Sequence, residues 1–380
     1  MRTQTELSRA LAHAREQTDA LFELVRPDSL HERPIPERHR IIFYLGHLEA
    51  FDWNLIARYA LDLPAFHPSF DHLFAFGIDP PPGELPSDQP SDWPAPAEVR
   101  RYNERVRDEV DDVLDQVPEQ LLHVAIEHRL MHAETFAYIL HALPYDRKRG
   151  PSEIPQVHSR RPGSRKIEIP TGPATLGMNP GEDFGWDNEF RRHTVPVKAF
   201  SAADHKVTNG EYLEFVKAGA AAPFFWTEHG GRWFYRGMFS EIPLPLECPV
   251  YVTHLEADAY AKHHGKRLIT EPEFHRLYCL APPAADGNFD FRHWDPVPAS
   301  DGIDLYGNGW EWTSTPFAPF DGFEPFPFYT NYSEPFFDNQ HYVLKGASPR
   351  TAACFLRPSF RNWFRPSYPY IYAGFRLAES

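Results

Sequence analysis

The sequence predicts an α plus α+β protein of two domains, an N-terminal four-helix bundle followed by an irregular, loop-rich α+β body. Three observations lead there. The 380 residues exceed what one hydrophobic core serves, at roughly 100 to 200 residues per domain. Up to Leu143 apolar residues recur at helical spacing, whereas beyond Pro170 short apolar pieces alternate with Gly, Pro, Asn and Asp. Between these regions, Tyr145 to Pro170 is polar and basic without apolar periodicity, as a linker would be. The boundary is expected near residue 155, giving domains 1–155 and 156–380.

The first helix is read from Leu7, Leu11, Ala14, Leu21 and Val25, with Thr5 available as its N-cap and Pro27 ending it. A second covers about 36–61, with Pro36 near its start, and a Pro-rich connection from Pro64 to Pro96 follows. The third and fourth run from about 97 to 117 and from 118 to 143. Four amphipathic helices with one long connection fit a bundle, whose facing side chains commonly build metal sites. In the second domain only 209–218 and 256–264 read as helices, and no repeat of fixed period is present.

Composition narrows the function. With 38 Lys+Arg against 53 Asp+Glu the net charge is −15, and without a basic stripe nucleic acid is excluded as a partner. No apolar run approaches the roughly 18 residues of a membrane span, and the opening segment lacks a signal-peptide core, so a cytoplasmic protein is expected. Cys248, Cys279 and Cys354 stand far apart and suggest neither a disulfide framework nor a thiolate metal site. The 39 Pro alongside 15% aromatic residues point to a folded body with many rigid turns, since disorder would deplete aromatics.

The chemistry lies in histidine. EHRLMHAE places His128 and His132 four apart, on one helix face, where two imidazoles can reach one ion. Glu134, about 200° further round, points away from that ion. His123 and His141 fall on other faces, so a third ligand must come from elsewhere. His47 is the candidate, mid-helix and preceded by Gly46, whose missing side chain leaves room for a close neighbour or a ligand. Three neutral imidazoles suit zinc, nickel, copper or iron(II).

The motifs also carry a resemblance. His47 with His128, His132 and Glu134 resembles the DinB-like helical bundle. FGWDNE (184–189), KVTNGEYLEF (206–215), GKRLITEPEF (265–274), GNGWEWTSTPF (307–317), VLKGAS (343–348), RPSFRNW (357–363) and AGFRLA (373–378) resemble the formylglycine-generating-enzyme-like, or sulfatase-modifying-factor, domain, which has a C-type-lectin-like fold. In this order they are similar to the ergothioneine-type sulfoxide synthases, the EgtB family. The resemblance implies a non-haem iron(II) enzyme that uses O2 to join a chalcogen donor to imidazole carbon 2 of hercynine, the Nα-trimethyl derivative of histidine. It implies iron at His47, His128 and His132, an active site between the two domains, and a proton-donating tyrosine, for which Tyr329 and Tyr332 are the candidates. It further implies hercynine contacts from Asn362 and Trp363, while Trp186 and Asp187 could meet the trimethylammonium group.

One departure bears on the donor. Relatives that take γ-glutamylcysteine carry an acidic residue after RNW and an arginine four positions on. Here Phe364 and Tyr368 stand there, and an aromatic pair cannot supply a charged clamp. Aromatic walls suit a neutral, ring-shaped donor, which favours the selenoneine synthases, users of a selenosugar, over relatives that take a thiol. The competing readings are a zinc- or nickel-dependent DinB-type thiol transferase and a binding module without catalysis.

Overall fold

The computed structural model describes residues 3–78, 85–150, 165–280, 287–299 and 303–380. The chain divides into two units, Met1–Ser152 and Glu153–Ser380. The boundary expected near residue 155 falls in 151–164, outside the described residues.

In the first unit α1 spans Gln4–Glu23. Its N-cap is Thr3 rather than the expected Thr5, because Glu6, three residues on, completes a capping box: its carboxylate accepts from the Thr3 N–H at 2.7 Å while Thr3 Oγ1 accepts from Glu6 N–H at 3.3 Å. Helix α2 is Ile41–Asp52 and runs on as a π-helix, Trp53–Ala60. It starts five residues later than Pro36 suggests, since the N–H groups of Ile41 and Ile42 donate back to the Glu32 and Leu30 carbonyls at 3.1 and 2.7 Å. The connection expected from 64 to 96 contains a further helix, α3 (Pro68–Phe76). Pro68 at its first position and Gly77 just past its end, at φ 75°, are the signals that mark it. Helices α4 (Pro96–Asp111) and α5 (Glu119–Ala142) complete the unit. In IIFYLGHLEAFD no polar face exists, and every residue from Ile41 to Ala50 is buried. Helix α2 is accordingly central, packed by α3, α4 and α5, while α1 lies on α5.

The second unit holds short strands: β1 (Lys166–Ile169), β2 (Gly172–Leu176), β3 (His193–Val197), β4 (Phe200–Ala203), β5 (Trp226–His229), β6 (Arg232–Arg236), β7 (Glu241–Pro243), β8 (Arg267–Leu268), β9 (Gly309–Pro316), β10 (Tyr342–Ala347), β11 (Asn362–Phe364), β12 (Ala373–Gly374) and β13 (Leu377–Glu379). They form sheets ordered β1-β4-β13-β8, β11-β10-β9-β12, β2-β3 and β5-β6-β7. Helices α6 (Asn209–Lys217), α7 (His254–His263) and α8 (Glu271–Tyr278) each begin with a Thr-x-x-Glu capping box, at Thr208, Thr253 and Thr270. The sequence reading passed over α8, although Thr270 and Glu273 announce it. A core of Ile169, Phe200, Ile269, Phe274 and Leu277 sits against these elements.

The sequence motifs of this unit meet as buried ion pairs. Glu189 of FGWDNE receives Arg357 of RPSFRNW at 2.6 and 2.8 Å. Glu271 of ITEPEF receives Arg361 at 2.9 and 3.2 Å. Glu311 of GWEWT receives Arg376 of GFRLA at 2.6 and 3.0 Å, with both side chains fully buried. Each pair satisfies charges that the interior would otherwise expel, so these six motif charges serve the fold.

Candidate metal centre

Helices α2 and α5 bring His47, His128 and His132 together, with one ring nitrogen from each within 4.8 Å of the others. Nε2 of His47 lies 3.3 Å from Nε2 of His132. Two nitrogens each about 2.1 Å from one ion, at roughly 100° to one another, would stand about that far apart. His128 and His132 share a face of α5 through their four-residue spacing, and His47 faces them because α2 packs on α5.

The orientation of His47 comes from a partner 27 residues away. Its Nδ1–H donates to the Phe74 carbonyl at 2.6 Å, one of the last carbonyls of α3 that no intrahelical N–H reaches. That bond fixes the tautomer and leaves the Nε2 lone pair toward the other histidines. Gly46 makes the approach feasible, since a Cβ there would lie 2.5 Å from Phe74 Cγ. The space beside His47 thus holds a close-packed neighbour. Phe43 and Phe51, one turn before and after His47, stack on His47 (4.7 Å) and His128 (3.4 Å) respectively. The sequence reading did not single out either phenylalanine, although their four-residue spacing around His47 was visible.

His128 is buried at 2% exposure, His47 stands at 9%, and His132 is half-buried. Burial pushes His47 down to about 4, against the Phe74 hydrogen bond. Burial and the neighbouring imidazoles hold His128 well below the usual histidine range, and burial followed by His47 does the same for His132. All three rings are neutral at pH 7, as metal ligation requires, so the donor set fits a divalent transition metal with all-nitrogen ligation.

In the second unit the remaining expected residues fall into two groups. Trp186, fully buried, stacks on Tyr332 at 4.0 Å, and Tyr329 meets it edge-on at 6.3 Å. Trp363 stacks on Phe317 at 4.3 Å and meets Tyr332 edge-on at 5.3 Å. Asp187, 1% exposed, accepts the Ser333 hydroxyl, and burial pushes its carboxyl up to about 6. Burial, then the Asp187 charge, pushes the Tyr329 phenol up to about 12. Trp186 and Asp187, which could meet a cation or serve a structural loop, are buried against Tyr332 and Ser333. Strand alternation places Asn362 and Phe364 on the opposite face of β11 from Trp363. Asn362 Oδ1 accepts from the Trp363 N–H at 2.9 Å. Phe364 stacks on Tyr368 at 5.2 Å, and the aromatic row continues through Tyr370 (5.1 Å) to Phe224 (5.0 Å).

Among the described residues, no helix is long and apolar enough to cross a membrane. Residues 10–143 match the DinB superfamily, and 152–277 with 298–380 match the sulfatase-modifying factor enzyme 1-like domain. The hercynine oxygenase of Mycolicibacterium smegmatis is 34% identical over 311 residues, covering 67% of this chain and 70% of that protein. The hercynine oxygenase of Mycolicibacterium thermoresistibile is 35% identical over 255 residues, covering 54% of this chain and 56% of that protein. The ergothioneine biosynthesis protein 1 of Neurospora crassa is 26% identical over 491 residues, covering 94% of this chain and 56% of that protein. The chain thus spans little more than half the length of the last two relatives.

Proposed function

The chain belongs to the EgtB-type hercynine oxygenase family, and from that premise we propose that it is an iron(II)- and O2-dependent enzyme that bonds a chalcogen donor to imidazole carbon 2 of hercynine. The observation that carries the reading is the convergence of three imidazoles from α2 and α5, with one ring nitrogen of each within 4.8 Å of the others. Iron(II), when bound, supplies the one-electron chemistry with O2 that side chains lack. The chain's own part is to hold, orient and protonate. His47, His128 and His132 hold the metal, with Phe74 fixing His47 and Phe43 and Phe51 packed on the His47 and His128 rings.

Hercynine keeps its positive charge at every pH and has no N–H on its ammonium, so an indole face recognises it better than a hydrogen-bond acceptor does. We assign Trp363 to that role; Asn362, on the opposite face of β11, holds the Trp363 backbone N–H through its Oδ1. Tyr329 is the proton donor in this reading: its phenol retains its proton at neutral pH. Tyr332 is packed against both Trp186 and Trp363 and serves the architecture.

For the donor we favour a selenosugar. The stacked Phe364–Tyr368 pair and the aromatic row beyond it offer surfaces for the C–H faces of a sugar ring. They offer no paired charges for an amino-acid donor. The test supplies protein, iron(II) and hercynine with equal amounts of a selenosugar, γ-glutamylcysteine and cysteine, then admits O2 and reads oxygen uptake and product masses. A dominant selenium-bearing hercynine adduct supports the whole reading. A dominant sulfoxide adduct places the protein with the thiol-using relatives, and no uptake with any donor overturns the oxygenase assignment. Replacing His47, His128 or His132 by Ala should abolish iron binding and turnover alike.

A further inference from the structure

The ligand histidines stand on two helices, and apolar packing between helices tolerates small slides along their axes. An ionic cluster behind the site does not. Arg129, next to His128 on α5, is fully buried. Its Nη2 donates to Glu49 Oε2 at 2.8 Å and Asp52 Oδ2 at 2.6 Å, and its Nη1 donates to Glu49 Oε1 at 3.0 Å. Both carboxylates belong to α2, two and five residues beyond His47. Arg107 of α4 donates to the same Glu49 at 2.6 and 3.0 Å and to Asp19 of α1 at 2.7 Å twice. One carboxylate, Glu49, therefore receives guanidinium N–H groups from two helices while sitting on a third, and the cluster ties α1, α2, α4 and α5 together.

Burying such charges is costly, and apolar residues of similar volume often stabilise as well or better. What a directional cluster supplies is register: a fork of N–H donors facing two carboxylates accepts one axial offset and one rotation. We propose that Arg129, with Glu49 and Asp52, is a positioning brace that sets α5 against α2 so that His128 and His132 meet His47 at ligand distance. The inference rests on the metal reading above. None of these three residues is a ligand itself, and their action is through helix placement.

The test is a cobalt(II) titration of the full chain, read by visible absorption, with thermal denaturation of the same samples. The variants are the apolar triple Glu49→Leu/Asp52→Val/Arg129→Met and the single Arg129→Lys, which keeps the charge but not the two-armed fork. Arg107 keeps Asp19 as a partner in both. The expected result is a triple variant that melts no lower than the parent but binds cobalt about 10- to 100-fold more weakly, the range typical when residues supporting metal ligands are lost, with an altered absorption spectrum. Arg129→Lys should fall between. If the folded triple variant binds cobalt with the parent's affinity and spectrum, the brace is overturned while the metal reading stands. If the triple variant does not fold, Arg129→Lys decides: weaker binding at unchanged melting supports the brace, and unchanged binding overturns it. If the parent itself binds no cobalt, the metal reading falls and the brace with it.

Discussion

Replacing Gly46 by Ala tests the link between helix packing and the metal centre. In an ordinary helix this exchange stabilises by about 1 kcal/mol, because glycine has the greater backbone freedom to lose. Here the added Cβ would lie 2.5 and 2.6 Å from Phe74 Cγ and Cε1, about 1 Å inside normal carbon–carbon contact. Phe74 is fully buried and its ring cannot swing into solvent, so α3 must move away from α2. Overpacking of this kind costs about 1–3 kcal/mol. The movement also stretches the 2.6 Å bond from His47 Nδ1 to the Phe74 carbonyl, worth about 1 kcal/mol. Set against the propensity gain, the net loss is about 1–3 kcal/mol. With its orienting partner displaced, His47 should hold metal about 10- to 100-fold more weakly. Thermal denaturation of the metal-free protein and a cobalt(II) titration measure the two effects. A Gly46→Ala protein about 1 kcal/mol more stable than the parent, with undiminished cobalt affinity, would refute the account.

His275 is buried and pushed down to about 3 by burial, with Lys345 adding to the effect. Its folded value lies below the ordinary 6.5, so between pH 6.5 and 3 the unfolded chain binds more protons. The stability it supports is complete above pH 6.5 and drains away as pH falls, by about 2 kcal/mol at pH 5. His275→Gln should therefore lose about that much less than the parent between pH 7 and 5, and parallel urea curves would contradict this. Arg376→Met leaves Glu311 charged in a fully buried position, a change expected to cost about 3–5 kcal/mol. Adding Glu311→Leu should recover most of it, as thermal denaturation can show. Phe364→Asp with Tyr368→Arg should weaken use of a selenosugar relative to γ-glutamylcysteine, and an unchanged product ratio would assign both rings to packing.

Much of the architecture is legible because its signals are local. The His128–His132 spacing declares a shared helix face, and the Thr-x-x-Glu boxes mark where helices begin. The apolar run of α2 shows that this helix is central, which is why a histidine within it is buried. Where local signals compete, reading fails. The many prolines between 64 and 96 concealed α3, and Thr5 drew attention from Thr3 and its partner Glu6.

The sequence by itself determined the two-part division, the bundle and the identity of three histidines able to share an ion. Tertiary structure alone decided what orients and braces them. The Phe74 carbonyl has no side-chain signature, and sequence does not show that Arg129 and Arg107 meet Glu49 within the packed helices. Likewise the partners of Trp186 and Asp187, Tyr332 and Ser333, lie more than 140 residues away and are met only in the folded chain. The physical reason is range: periodicity encodes which face a residue occupies on its own element. Burial and hydrogen-bond partners depend on elements tens of residues distant, such as Phe74 for His47 and Glu49 for Arg129, and these exist only once the helices have packed.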